Sequence, residues 1–160
     1  MLKLTTSHYE EIRRHGEATY PHECCGVLLG SLDMDSNTRV VHETVRAGNT
    51  REDSPHNRYS IDPGELVRIQ IQGRKRGLDI IGFYHSHPDH PAMWSKTDLA
   101  EAHWLGCSYV ITSVDGDKTT GKAVFTKSWV LTGSASGDES NYESAKNLED
   151  EPIIVAPVEA

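Results

Sequence analysis

The stretch LDIIGFYHSHPDHP, residues 78–91, constrains the fold more than any other part of the chain. Its first half is apolar and β-branched, and its end turns polar, as a buried strand does when it delivers side chains to a site at the edge of a sheet. Pro88 and Pro91 forbid simple continuation of that strand. Residues two apart on a strand share a face, so His85 and His87 present two imidazoles to one point while Ser86 faces away. Neutral imidazole is a strong zinc ligand, and a carboxylate such as Asp98 can complete a three-ligand set that leaves a fourth position for water. An open site of that kind generates hydroxide near neutral pH. The same residues also have a plainer reading. Two histidines can share an exposed strand end by chance, and Ser95 with Asp98 can be only a helix cap with an acid in the first turn.

The elements around this strand predict a mixed α/β domain, a β-sheet with helices packed on it rather than a regular βαβ repeat. In TSHYEEIRRHGEATYP, Ser7 followed by Glu10 reads as a capping box, and the helix it opens stops at Pro21. CGVLLGSL and TRVVHETVRAG flank the turn-forming DMDSN and predict a hairpin. Asp62 is a candidate N-cap with Pro63 at the first helical position, and Gly77 stands where that second helix would end. SKTDLAEAHWLG predicts a third helix, capped by Ser95 and stopped at Gly106. CSYVITSV and GKAVFTKSWVLTG flank an Asp-Gly turn and predict a second hairpin.

Composition excludes some roles. A chain of 160 residues fits one domain, and a formal charge of -8 argues against a general nucleic-acid binder, which needs a basic surface. Most of that charge lies in SASGDESNYESAKNLEDEPIIVAPVEA, where seven carboxylates face Lys146 alone and account for -6 of the total. Residues 1–132 are therefore expected to form the body and 133–160 an acidic, flexible tail, with PIIV as a segment that could dock. No apolar run reaches the roughly 20 residues of a membrane span, and MLKLTTSHYEE lacks the apolar stretch of a secretion signal, so a cytoplasmic location is expected. Cys24, Cys25 and Cys107 match no disulfide framework or CxxC zinc pair and read as reduced thiols.

The whole spacing, His-x-His, seven residues, Ser, two residues, Asp, resembles the signature of the JAMM (MPN+) zinc metalloproteases, which also place a glutamate upstream. YPHECCGVLLG supplies Glu23 at that place, and RYSIDPGEL ahead of GLDIIGFYHSHP is similar to the family's middle region. The resemblance covers roughly residues 5 to 130. It implies the curved sheet and flanking helices of the JAMM/MPN, cytidine-deaminase-like fold. It further implies one zinc ion per chain on His85, His87 and Asp98 with water as fourth ligand, Glu23 as general base, and Ser95 as hydrogen-bond donor to the oxyanion of the tetrahedral intermediate. The expected reaction is hydrolysis of the peptide or isopeptide bond after the C-terminal Gly-Gly of a ubiquitin-like or sulfur-carrier protein of β-grasp fold, the compact prokaryotic relatives favouring the sulfur-carrier class. A homodimer is compatible with the resemblance; a membrane or nucleic-acid partner is not part of it.

One departure stands out: many relatives have proline where this chain has Trp94, and an aromatic there is expected to line the loop or the groove. His90 is a competing ligand by type but reads better as an exposed loop residue, and His22 as a surface one. His8, His15, His42, His56 and His103 suggest no role. GNTREDSPHNRYS, residues 48–60, is polar and turn-rich and suits a flap over a groove that takes an extended peptide by added main-chain hydrogen bonds. Rival readings are a non-catalytic MPN scaffold, a small-amide zinc hydrolase on the same site, and a Cys24 or Cys25 nucleophile with a histidine base.

Overall fold

The computed structural model describes residues 1–50, 59–133 and 146–157. In chain order these form β1 (Leu2–Thr5), α1 (Thr6–Thr19), β2 (Cys25–Asp33), β3 (Thr38–Ala47), α2 (Pro63–Lys75), β4 (Asp79–Pro88), α3 (Lys96–Glu101), β5 (Ser108–Gly116), β6 (Gly121–Thr132), β7 (Asn147–Glu151) and β8 (Ile153–Ala156). The strands make one mixed sheet in the order β7-β6-β5-β4-β2-β3-β1-β8. The α/β class expected from the pattern is the one that forms. Strands β7 and β8 sit at opposite ends of that order yet are separated only by Pro152, so the sheet curls until its two ends meet. Among the described residues no helix is long and apolar enough to cross a membrane.

Local chemistry accounts for most elements. Asp62 accepts a hydrogen bond from the Glu65 amide and Pro63 opens α2, while Gly77 beyond its end takes φ +74°, a left-handed geometry that costs a side chain strain. Both predicted hairpins form, β2 against β3 and β5 against β6. Helix α1 starts earlier than the Ser7 capping box implied: Thr5 is the cap, its hydroxyl accepting from the His8 amide at 3.2 Å. The cause is β1, which holds the chain extended through Thr5 so that Ser7 already lies inside the first turn. Helix α3 ends at Glu101 rather than near Gly106, because Ala102 turns extended and the chain leads into β5.

The largest correction concerns the expected flexible tail. Residues 134–145 and 158–160 lie outside the described residues, but 147–156 complete the sheet. Strand β7 pairs antiparallel with β6, and β8 runs parallel to β1 from Leu2↔Ile153 to Thr5↔Ala156. Leu148 is buried in the core, and Glu151 receives hydrogen bonds from Arg39, Ser108 and Ser128. An acidic composition normally disfavours burial; here the buried acid has a full set of donors and the others face outward.

The sheet carries a core on each face. Tyr84, Leu28, Val110, Leu2 and Ile12 fill the side covered by α1, and Phe83, Tyr109, Trp129, Ile111 and Leu131 the other. At Gly26 the Tyr84 ring lies where a side chain would begin, 2.1 Å from an added Cβ. That close approach lets the Tyr84 hydroxyl reach His15 Nδ1, 2.7 Å away on α1. The strand centre that ends in the two site histidines is thereby clamped from behind.

Candidate metal and active site

Strand β4 lies between β2, antiparallel, and β5, parallel, and every residue from Ile80 to Pro88 is buried. Register sets the site: Cys25 stands opposite His85, and Ser113 beside His87. Glu23 precedes β2 by two residues and arrives at the same point. Ser86, on the reverse face, fastens this junction, its Oγ accepting the Cys24 amide at 2.8 Å and its own amide donating to the Cys24 carbonyl at 3.3 Å. Beyond Pro88 the loop turns through Asp89 at φ +56°. The Asp89 carboxylate accepts from the Tyr20 hydroxyl and the Gly116 amide, which pins the loop to its neighbours. Helix α3 then opens with a full capping box, Ser95 Oγ accepting from the Asp98 amide at 3.0 Å and Asp98 Oδ2 accepting from the Ser95 amide at 2.8 Å. The plainer reading of Ser95 and Asp98 as a cap is therefore true, and it coexists with a second contact.

That contact joins the cap to the histidines. His85 Nε2 and His87 Nε2 are 3.2 Å apart, Asp98 Oδ1 lies 3.3 Å from the first, and Asp98 Oδ2 3.0 Å from the second. A carboxylate oxygen of Glu23 and one ring nitrogen of each histidine also lie within 4.8 Å of one another. His87 Nδ1 donates to the Pro91 carbonyl at 2.8 Å, so the lone pair of its neutral ring is on Nε2, toward the cluster. Two imidazole nitrogens and a carboxylate thus converge, and His85 Nδ1, buried, has no hydrogen-bond partner among the described residues.

The donor set fits a zinc ion. Ligand atoms about 2.0–2.1 Å from a tetrahedral zinc are separated by edges of roughly 3.3–3.4 Å. The two imidazole nitrogens, 3.2 Å apart, stand close to that length, and each has a different Asp98 oxygen within 3.3 Å. Asp98 would supply one of its two oxygens. The electrostatics differs between the two histidines: burial acts to lower the His87 pKa, but Asp98, with the Pro91 carbonyl and Glu23, outweighs burial and raises it. Burial lowers His85, an effect that outweighs the nearby Asp98 and favours the neutral ring. For Asp98 burial acts upward, but the two histidines and the Ser95 amide prevail and hold its carboxyl well below the usual range. Burial pushes Glu23 up to about 8, with Asp98 and Glu101 adding to the rise and His87 opposing it. A buried carboxyl that exchanges its proton near neutrality, beside a cation site, is equipped for proton transfer.

Of the expected site residues, Glu23, His85, His87 and Asp98 come together, and Ser95 joins them through the cap while its side of the helix stays exposed. His22 and His90 are exposed and stand outside the cluster. Trp94 is half-buried and packs on the core below the loop. Cys24 and Cys25 are buried, free thiols, with burial pushing Cys24 up to about 11 and Cys25 higher still, which disfavours a thiolate nucleophile. Residues 51–58 of the expected flap lie outside the described residues. Its stem is closed by Asn49 and Thr50 bonding to Ser60, and Asn49 Nδ2 donates to the Glu23 carbonyl at 3.3 Å.

Some contacts had no sequence signal. Tyr59 stacks on His85 with ring centres 4.5 Å apart, and next to it a cavity of about 340 Å³ is walled by Tyr59, Phe83, Trp104 and Tyr109. Only the tertiary fold brings these aromatic rings, scattered over fifty positions, to one wall.

Against known proteins, the family described as prokaryotic homologs of the JAB domain, Prok-JAB, matches residues 5–132. The chain belongs to this family. A Haloferax volcanii relative named desampylase is 40% identical over 99 residues, which cover 62% of this chain and 68% of the relative. A Thermus thermophilus relative named probable TtuB-protein conjugate cleaving protease is 34% identical over 107 residues, covering 67% of this chain and 66% of the relative. A protein from Desulfitobacterium hafniense superposes with TM-score 0.72 at 27% identity, spanning 99% of this chain and 96% of its own. One from Salinibacter ruber gives 0.65 at 36%, spanning 98% and 92%. A JAB1/MPN domain protein from Archaeoglobus fulgidus, at 0.54 and 17% over 96% and 98%, shares the fold. The curled sheet and its three helices are thus a JAB/MPN fold, and the two histidines and Asp98 stand within the Prok-JAB match.

Proposed function

We propose that this Prok-JAB chain is a zinc metallopeptidase that hydrolyses the peptide or isopeptide bond after the C-terminal Gly-Gly of a ubiquitin-like or sulfur-carrier protein. The observation that carries the reading is the convergence of His85, His87 and Asp98, with the nearest ring nitrogens and carboxylate oxygens 3.0–3.3 Å apart, and the buried Glu23 carboxyl beside the two histidines. The names of the Haloferax volcanii and Thermus thermophilus relatives, a desampylase and a conjugate cleaving protease, support the substrate class.

In this reading His85, His87 and Asp98 hold the zinc. Zinc bound there acts as a Lewis acid, bringing the pKa of water toward neutrality and polarising the scissile carbonyl. Glu23 takes the proton of the attacking water and returns it to the leaving amine, one carboxyl serving both transfers. Ser95 accepts the cap bond from Asp98 with a lone pair, which leaves its hydroxyl hydrogen to donate to the developing oxyanion. The Pro91 carbonyl fixes the His87 tautomer, as partners of metal-bound imidazoles do. The stem at Asn49, Thr50 and Ser60 is bonded to the Glu23 backbone, beside the site where the substrate tail would bind. An extended tail ending in glycines can lie along it, paired through its main chain.

The test incubates wild type and Glu23→Gln with ubiquitin-like proteins carrying a C-terminal extension. Wild type is expected to release the extension after Gly-Gly, to hold one zinc by elemental analysis, and to lose activity to a chelator that Glu23→Gln does not need in order to be inactive. Equal cleavage by both proteins would overturn the assignment of the base. Absence of zinc together with absence of cleavage would favour the scaffold reading.

A further inference from the structure

We propose that the C-terminal segment is part of the metal site's framework, with Lys146 as a positioning residue that holds α3, and through it Asp98, against the histidines. The proposal rests on the reading of Asp98 as a metal ligand.

Helix α3 is six residues long and buries none of them fully. Helices of this length are not stable alone, so its position depends on its end contacts and on Leu99 and Ala102, which pack on the core. The N-terminal end has the capping box of Ser95 and Asp98. At the other end the Ala102 amide bonds to the Leu99 carbonyl at 3.3 Å. Lys146 completes that end: its Nζ donates to the Ala102 carbonyl at 2.9 Å and to the Ala100 carbonyl at 3.3 Å. These last carbonyls lack partners inside the helix and carry its partial negative charge, so an ammonium is the favoured group there. Only 7% of Lys146 is exposed. Removing an ammonium from water is costly unless it is fully engaged, which separates this contact from a casual surface bond.

The lysine is itself firmly based. Strand β7 begins at the next residue and pairs with β6 from Thr132↔Asn147 to Ser128↔Glu151. At the far end Glu151 is locked to Arg39, Ser108 and Ser128. The chain therefore runs from a rigid sheet edge, through Lys146, to the end of a helix whose first turn carries Asp98. Lys146 lies beyond residues 5–132, the span that Prok-JAB matches. In the sequence it is the lone cation of a strongly acidic segment.

The experiment measures zinc affinity of the full chain by chelator competition, together with amide hydrogen exchange of α3 in zinc-free protein. Lys146→Met is expected to weaken zinc about 10- to 100-fold, the usual effect of removing a support behind a ligand, and to speed exchange at Leu99 and Ala102. Lys146→Gln, which retains one donor, should fall between and serves in its place if the methionine variant does not fold. Glu151→Gln loosens the same segment far from α3; it should lower the melting temperature and weaken zinc less than Lys146→Met does. The proposal fails if both Lys146 variants keep wild-type zinc affinity and α3 protection. It fails equally if Glu151→Gln weakens zinc as much as Lys146→Met, since the segment would then act through global stability alone. Asp98→Ala with unchanged zinc affinity would instead overturn the ligand reading, and α3 exchange would still report on Lys146.

Discussion

Two buried carboxylates organise the molecule, and they differ in what faces them. Glu151 is met by donors on both oxygens, the Ser108 and Ser128 hydroxyls on Oε1 and the Arg39 guanidinium on Oε2. Asp98 is met by two imidazole nitrogens that also face each other, at 3.2 Å, with the Glu23 carboxyl close by. The first cluster is complete within the protein. The second brings two ring nitrogens and carboxylate oxygens to one point, an arrangement that suits a cation. In the proposed function the contrast is between a polar cluster whose hydrogen bonds are met inside the protein and one whose groups are placed for a ligand.

The comparison can be broken most sharply at the open cluster. Glu23→Gln should lower turnover by about 10²–10⁴-fold, the range for removing a general acid–base group, with zinc binding retained in calorimetry. At the closed cluster Glu151→Ala should cost about 3–5 kcal/mol in urea unfolding, since Arg39 is left buried without its counter-charge. Replacing the pair together, Arg39→Met with Glu151→Leu, should recover only part of that loss, because the buried Ser108 and Ser128 hydroxyls then lose their acceptor. Adding zinc at about 100 times its Kd should stabilise wild type by about 2.7 kcal/mol in thermal unfolding and leave His85→Ala unmoved. A shift retained in His85→Ala would place the cation elsewhere.

The smallest effect belongs to a third buried contact, between His15 and Tyr84 on the opposite face. Burial, helped by Arg46, lowers His15 from the ordinary 6.5 to about 4. Between those values the unfolded chain binds more protons than the folded one, so stability is fully present above about pH 6.5 and declines as pH falls toward about 4. His15→Gln should flatten that stretch of the stability curve in urea titrations. An unchanged slope would assign the acid sensitivity to other groups.

Legibility followed range. The Asp62 cap, the stop at Gly77, the two hairpins and the buried strand ending in His85 and His87 were all readable, since each depends on a few neighbouring residues. The cap at Thr5 was not, because the choice between Thr5 and Ser7 was made by β1 pairing with β3 and β8. Strand β1 is four residues long, too short for an alternation to stand out. Strands β7 and β8 were read as tail because composition weighs seven carboxylates and cannot see that Glu151 meets Arg39 from a position 112 residues earlier. At the candidate site, the His-x-His, Ser and Asp98 spacing was visible in the chain, while Glu23 was singled out only by the resemblance to the JAMM signature. Tyr59 against His85 and Lys146 against α3 were not, as neither contact has a period or a fixed offset in the chain.

By itself the sequence determined which groups are available and which face of β4 the two histidines share, because alternation along a strand is a property of the backbone and needs no partner. It also determined the Ser95–Asp98 cap, a bond closed within four residues. Only the tertiary structure decided that Glu23 stands beside those imidazoles, that Asp98 serves a cap and a cluster together, and that the acidic end closes the sheet. Those outcomes depend on register between strands far apart in the chain, and register is selected by the packing of the whole sheet.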